Sequence, residues 1–106
     1  MRNASLVHVI VTKLSLGKPI DDELVRKIDT DLFPRARENP GFLDLQVVRV
    51  SDAEALLLVF FSTREALDEV SSSIAGPWFA EHVRPYLAGP VQRSVGEVIW
   101  SASDRA

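Results

Sequence analysis

The residues best suited to chemistry lie together in one apolar stretch, residues 75–90. Trp78, His82 and Tyr86 recur there every four residues, so an indole N–H, an imidazole and a phenol share one row. Residues at this spacing lie on the same side of an α-helix. Histidine changes its charge near neutral pH, which suits it to act as a base or as a ligand. This row is therefore the first candidate for the wall of a pocket.

Each candidate also has a purely structural interpretation. His82 is then a partly exposed helix residue, and His8, in a run of β-branched residues, is a buried strand histidine whose hydrogen bonds are satisfied. Trp78 and Tyr86 are then packing residues whose polar ends reach solvent or backbone. Both interpretations remain open at this point.

Composition excludes several kinds of site. The chain has no cysteine and two histidines, so a disulfide, a thiolate nucleophile and a cysteine metal site are excluded, and no metal-ligand spacing stands out. A net charge of −3 gives no basic footprint for nucleic acid. The longest apolar stretch, residues 55–61, is too short to cross a bilayer. The first residues lack the pattern of a signal peptide, so we expect a cytoplasmic protein without nucleic-acid or membrane partners.

The elements that position the candidates follow the order β-α-β-β-α-β in a single domain, residues 1–106. Alternating and β-branched residues predict the strands, and the continuous apolar run of the third is a strand by its length and its hairpin neighbour. The predicted strands cover residues 6–14, 42–50, 55–62 and 91–102, with a frayed tail at 103–106.

The first helix begins at a cap formed by Asp21 or Asp22. Pro34 disfavours helical geometry at Phe33, which predicts a kink or break there. The helix carries an apolar stripe with a spacing close to 3.6 residues, formed by Leu24, Val25, Ile28, Leu32 and Ala36.

The second helix opens at residues 62–65, which match a capping box with Ser62 as the cap. Gly76 is predicted to break this helix before Pro77 starts a new one. In the new helix a wholly apolar row is predicted to pack on the sheet, so the row of Trp78, His82 and Tyr86 borders the space between helix and sheet. The apolar row consists of Phe79, Val83 and Leu87.

This order of elements predicts a ferredoxin-like α+β fold, with a four-stranded antiparallel sheet and both helices on one face. The first and third strands are apolar on both faces, which would leave a large apolar surface in water. We therefore predict a homodimer that closes two sheets against each other. Charged residues on the strands, Arg49, Arg93 and Glu97, are predicted to lie at the dimer surface or at sheet edges.

The chain resembles the antibiotic biosynthesis monooxygenase superfamily, a set of dimeric α+β barrels. The resemblance covers nearly the whole chain and specifies the fold better than the substrate. It is carried by the order of elements and by three motifs, Asn39-Pro40-Gly41-Phe42-Leu43, Ser62-Thr63-Arg64-Glu65-Ala66-Leu67, and His82 with Pro85-Tyr86-Leu87.

The resemblance implies two activities. A heme-degrading branch uses an asparagine, a tryptophan and a histidine ligand, and only His82 matches, since Val7 and Val70 stand at the other positions. Heme is therefore not expected, and no other cofactor is. The remaining activity is cofactor-independent oxygenation of a small electron-rich aromatic substrate, with His82 as base and Trp78, Tyr86 and His8 as substrate-binding residues. The alternative is a non-catalytic dimeric module that binds a small apolar ligand or a partner.

Overall fold

Four antiparallel strands form the sheet of the computed structural model, which describes residues 7–105. The strands are β1 (Val7–Ser15), β2 (Phe42–Ser51), β3 (Glu54–Phe61) and β4 (Gln92–Val98). They lie in the order β2-β3-β1-β4, and every neighbouring pair is antiparallel. The ferredoxin-like α+β fold is therefore confirmed. Leu6, the predicted first residue of β1, lies outside the described residues.

Two helices cover one face of this sheet. Helix α1 spans 22–36 and helix α2 spans 64–82. After α2 the chain makes a 3₁₀ turn at Arg84–Tyr86, and a second 3₁₀ turn at Ala102–Arg105 stands where a frayed tail was predicted. Ala106, the last residue of that tail, lies outside the described residues.

Both helices contain one π turn, and each π turn is followed directly by an X-Pro pair. The turns cover Ile28–Leu32 and Ser71–Ala75. The N–H of Phe33 bonds to the carbonyl of Ile28, and the N–H of Gly76 bonds to that of Ser71, in both cases five residues back. A proline ring clashes with the carbonyl four residues earlier, and the wider turn relieves this crowding. The predicted break at Gly76 is thus wrong, and at Pro34, where a kink or a break was predicted, the helix does not break, because both helices widen locally and continue.

The π turns also explain the spacing of the apolar stripes. Four residues of an α-helix turn through about 400°, so a strict four-residue repeat drifts by about 40° each time. A π turn accommodates one additional residue and brings the stripe back to the core. The repeats that stay aligned are Leu24, Ile28, Leu32 and Ala36 in α1, and Ala66, Val70, Ile74, Trp78 and His82 in α2. Val25, which was predicted in the first stripe, is 47% exposed.

The two helix starts are capped by side chains. Asp21 Oδ1 accepts from the Leu24 N–H at 2.9 Å, as predicted. At α2 the cap is Thr63, whose Oγ1 accepts from the Ala66 N–H at 3.0 Å. The prediction of Ser62 as the cap was therefore wrong by one residue. The sequence motif places two hydroxyls side by side, and only the extended backbone at Thr63 turns one towards the helix end.

The core lies between the helices and one face of the sheet. On β1 this face carries Ile10, Thr12 and Leu14, and all three are buried. The opposite face of the sheet has no helix over it. It presents half-buried apolar side chains from the two central strands, namely Val7, Val9, Val11, Leu56, Leu58 and Phe60. The prediction that both central strands are apolar on both faces is confirmed for these residues.

Candidate functional site

A cavity of about 610 Å³ lies between the helix-side face of the sheet and the two helices. Ligand sites usually have volumes of about 300–1,000 Å³ and mostly apolar walls. The floor comes from the strands, through residues such as Ile10, Leu57 and Val59, and the roof comes from Leu24 and Phe79 among others. The cavity is therefore large enough for an aromatic molecule of several rings.

The few polar groups on this cavity lie near the π turn of α2. They are the side chains of Thr12, Asp68, Ser71, Ser72 and Arg93. Arg93 projects from β4 and its Nη2 donates to Ser71 Oγ at 2.8 Å. Asp68 is engaged on its own helix, where it accepts from Arg64 Nε at 3.2 Å. One side of an otherwise apolar cavity thus offers hydrogen-bonding groups.

Trp78 forms part of the cavity wall and is 4% exposed. Its Nε1–H donates to Asp31 Oδ2 at 2.7 Å, and Asp31 Oδ1 is paired with Arg35 at 3.1 Å. A buried indole needs such a partner, because an unpaired N–H would lose its hydrogen bond to water. This contact fixes the ring between α1 and α2 and leaves its apolar surface for the cavity.

His82 contacts Trp78 and is not among the cavity-lining residues. The two ring centroids are 4.5 Å apart, and the imidazole Nε2 is 3.7 Å from Glu81 Oε2. The histidine side chain is 21% exposed, so it is neither fully buried nor free of packing.

Tyr86 is buried but is turned away from the cavity lining. Its hydroxyl donates to Asp21 Oδ1 at 2.7 Å, and the Lys18 ammonium lies 4.4 Å from the ring centroid. Burial, together with the hydrogen bond to Asp21, raises the pKa of Tyr86 to about 12. The same hydrogen bond lowers the pKa of Asp21 below its usual value. Tyr86 therefore ties the end of α2 to the start of α1.

His8 lies on the helix-side face of β1, where its register neighbours are Phe61 and Glu97. It is half-buried and is not among the lining residues, which begin on this strand at Ile10. The structure therefore brings Trp78 to the cavity and Trp78 and His82 into contact. It does not bring Tyr86 or His8 to the same place.

Both rows of the second helix pack, which differs from the prediction that only the apolar row would do so. Val83, Trp78 and Tyr86 all belong to one buried cluster, whereas Phe79 and Leu87 are only partly buried beside it. The π turn rotates the helix relative to a regular α-helix, and Tyr86 follows the helix in a 3₁₀ turn. The regular four-residue row therefore ends at His82.

Arg49, Arg93 and Glu97 were predicted at the dimer surface or at sheet edges, and all three lie on the edge strands, Arg49 on β2 and the other two on β4. Arg49 and Arg93 lie on the helix-side face of these strands. Arg49 Nη2 donates to the Ile20 carbonyl at 2.8 Å, and Arg93 reaches the cavity. The sequence pattern does contain a signal that Arg93 and Thr12 could belong to a site. Each alternates with apolar residues on the inward side of its strand, and a polar residue at such a position indicates a partner or a cavity.

Two absences concern the part of the chain that the structure describes. Within residues 7–105 no group of three or more His, Cys, Asp or Glu is placed to hold a metal ion. No helix in that part combines the length and apolarity needed to cross a bilayer.

His82, which the resemblance suggests as a heme ligand, contacts the Trp78 ring at an interplanar angle of 38° and lies outside the cavity lining.

Comparison with known proteins identifies the fold. No protein-family model matches the sequence, and no curated protein does. Among solved structures, the monooxygenase from the gene ActVA-Orf6 of Streptomyces coelicolor, in complex with Nanaomycin D, has a TM-score of 0.68 at 21% identity, over 93% of each chain.

Two further structures agree. SnoaB from Streptomyces nogalater, named as a cofactor-independent oxygenase, has a TM-score of 0.69 at 9% identity, over 91% of this chain and 96% of its own. A proposed antibiotic biosynthesis monooxygenase from Caulobacter crescentus has a TM-score of 0.70 at 17% identity, over 92% of this chain and 93% of its own. The resemblance stated from the sequence is thus supported at the level of architecture. The chain has the α+β fold of the antibiotic biosynthesis monooxygenases.

Proposed function

We propose that this protein is a cofactor-independent monooxygenase that acts on a small electron-rich aromatic substrate. The observation that carries the proposal is the cavity of about 610 Å³ with a buried tryptophan in its wall and polar groups on one side only. Such a site can hold a flat apolar molecule, exclude water from it and still contact one oxygen substituent. The names of the two Streptomyces neighbours support the same class of reaction.

The chemistry needs no external reductant when the substrate supplies the electrons. An anthrone-type substrate loses a proton from its CH₂ group, and the resulting carbanion reacts with dioxygen. One oxygen atom becomes the new ketone oxygen, and the other leaves as water with the two hydrogens of the CH₂ group. The protein contributes orientation, desolvation and a proton acceptor.

His82 was expected to be that proton acceptor, and its position favours a different role. Because the imidazole contacts the indole ring and is not among the cavity-lining residues, we propose that His82 is a positioning residue, which holds Trp78 against the cavity. Tyr86 and His8 are not proposed to touch the substrate, because other contacts of the fold account for where they lie.

Oxygen uptake with anthrone and hydroquinone substrates tests the proposal. The wild type should consume one O₂ per anthrone oxidised, without added metal, flavin or reductant. Trp78→Leu should raise KM, since it removes the aromatic wall. His82→Gln should change kcat modestly and leave the pH profile of kcat/KM in place. Loss of one limb of that profile in His82→Gln would show that His82 is the base after all.

The second candidate function is non-catalytic binding of a small apolar ligand. It is favoured by the observation that neither histidine is among the lining residues of the cavity. Under this alternative the same aromatic compounds bind, and no oxygen is consumed above the rate in buffer. We further propose that the protein works in the cytoplasm as a homodimer.

A further inference from the structure

The inward face of the sheet carries one polar side chain in its buried part, that of Thr12, which is 6% exposed. It lines the cavity between the apolar neighbours Ile10 and Leu14. No hydrogen bond of the Thr12 hydroxyl is found among the described residues. In the same part of the chain, every fully buried side-chain nitrogen or oxygen atom has a hydrogen-bond partner, so an atom without a partner is not fully buried. The Thr12 hydroxyl oxygen is therefore not fully buried, and the space that it contacts is the cavity that Thr12 lines.

Arg93 is the cross-strand neighbour of Thr12. The two residues are paired in the register of β1 and β4, which places both on the cavity side of the sheet. Residues paired in this way have Cβ atoms about 5 Å apart. A guanidinium and a hydroxyl thus face the same part of the cavity.

The Arg93 guanidinium has donors to spare. One nitrogen bonds to Ser71 Oγ at 2.8 Å, whereas a guanidinium has five N–H donors in a planar fork. Among the described residues, no carboxylate forms an ion pair with it. The acid that shares the cavity, Asp68, is paired with Arg64 at 3.2 Å. Arg93 is an exposed residue, and its contact with Ser71 places the guanidinium beside the π turn of α2, at the solvent-exposed edge of the cavity.

We infer that Arg93 and Thr12 form a recognition site for an oxyanion, so that the cavity selects aromatic ligands that carry an ionisable oxygen. The apolar walls hold the rings, the guanidinium pairs with the anionic oxygen, and the threonine hydroxyl donates a second hydrogen bond. A phenolate, an enolate and a carboxylate share this chemistry. The inference rests on the proposed function only in placing the ligand in this cavity.

A matched pair of fluorescent probes tests the inference. 1-Anilinonaphthalene-8-sulfonate carries an oxyanion, and N-phenyl-1-naphthylamine has the same rings without it. In Arg93→Gln the affinity for the sulfonate should fall by about tenfold or more, whereas that for the neutral probe should change less than about twofold. Arg93→Lys should recover part of the loss, and Thr12→Val should weaken the sulfonate alone.

Two controls test whether the probes bind in the cavity and whether each variant is folded. Ala75 lines the cavity, so Ala75→Leu should weaken both probes by filling space. Binding of both probes that is insensitive to Ala75→Leu would contradict the assignment. Circular dichroism and melting of each variant establish that it is folded. Equal losses of both probes in a folded Arg93→Gln would overturn the inference.

The type of oxyanion is resolved with two ligands, 4-nitro-1-naphthol and 1-naphthoate. Bound naphthol should ionise at lower pH than free naphthol in the wild type, and Arg93→Gln should abolish that shift. Dependence of both ligands on Arg93 supports a general oxyanion site, and dependence of the naphtholate alone narrows it to phenolates. If the binding of neither ligand depends on Arg93, the inference is wrong. Arg93-dependent binding without any oxygen uptake would leave this inference standing and refute only the oxygenase.

Discussion

A single carboxylate, that of Asp21, performs two structural tasks. One of its oxygens accepts from the Leu24 N–H at 2.9 Å and from the Tyr86 hydroxyl at 2.7 Å. The negative charge also lies at the start of α1, where the helix dipole favours it. The pKa of Asp21 is consequently lowered, mainly by the Tyr86 hydrogen bond. The contact therefore stabilises the fold above the unfolded-state pKa of Asp21, and this stability is lost as the pH falls through the folded-state pKa.

Titration of the phenol tests this contact, because Tyr86 is the only tyrosine in the chain. Its pKa is raised to about 12, so tyrosinate absorbance should develop about two pH units above the ordinary value of 10. The stability from the protonated phenol is present below pH 10 and is lost as the pH rises towards 12. Asp21→Asn should move the midpoint down towards 10. A wild-type midpoint near 10, with folded circular dichroism, would contradict the contact.

Heme binding is a second test at single residues. His82 contacts Trp78 at a tilted angle and does not line the cavity, so its imidazole is poorly placed to hold an iron atom there. We expect titration with hemin to give no stoichiometric Soret band, and His82→Ala to leave the weak background unchanged. Tight binding at one heme per chain that disappears in His82→Ala would show that the helix end rearranges.

The candidate site was only partly predictable from residue types. Trp78 was identified because an aromatic row at helical spacing stands out in a sequence. Thr12 and Arg93 were not identified as site residues, since their proximity depends on pairing between β1 and β4. These strands are about 80 residues apart in the chain. A sequence pattern gives the face of a residue within one strand. It does not give the neighbour across the ladder or the space above it.

The helices show how far local patterns determine an element. The positions of both helices were predicted from apolar periodicity and capping residues, and the Asp21 cap is one of the two that were predicted, Asp21 or Asp22. The continuity of the helices across Pro34 and Pro77 was not predicted, because a proline rule describes a regular α-helix and not one that has already widened. The strict four-residue repeat was a usable signal, since it fits a helix that contains a π turn better than a regular one.

Capping of α2 gives a test with a matched control in the neighbouring residue. Thr63 Oγ1 accepts from the Ala66 N–H, whereas the side chain of Ser62 is exposed. Thr63→Ala should lower the free energy of unfolding by about 1 kcal/mol, and Ser62→Ala should lower it by much less. Urea unfolding of both variants measures the difference. A larger loss in Ser62→Ala would restore the cap that was predicted from the motif.

At the scale of the molecule, the uncovered sheet face is the basis for the proposed homodimer. Val9, Val11, Leu56, Leu58 and Phe60 present their side chains on that face without a helix above them. Contiguous apolar surface of this kind is rare on monomers. A second copy placed sheet against sheet would bury it symmetrically.

Sedimentation equilibrium at micromolar concentration should therefore give twice the chain mass of 11.8 kDa. The melting temperature should rise with protein concentration, because assembly stabilises the folded state by mass action. Leu58→Lys should shift the protein towards monomer. Val25→Lys, at an exposed position on α1, should leave the mass unchanged. A wild type that stays monomeric under these conditions would rule out the dimer.

The position of Trp78 on the cavity wall has an optical consequence. The chain has two tryptophans, and the other, Trp100, is 65% exposed. In a Trp100→Phe variant all indole emission would come from the wall, at the short wavelengths typical of a ring shielded from water. An aromatic guest in the cavity would then quench that emission or accept its energy. Stopped-flow fluorescence of this variant should follow filling and emptying of the cavity in real time, without any label on the protein or the guest.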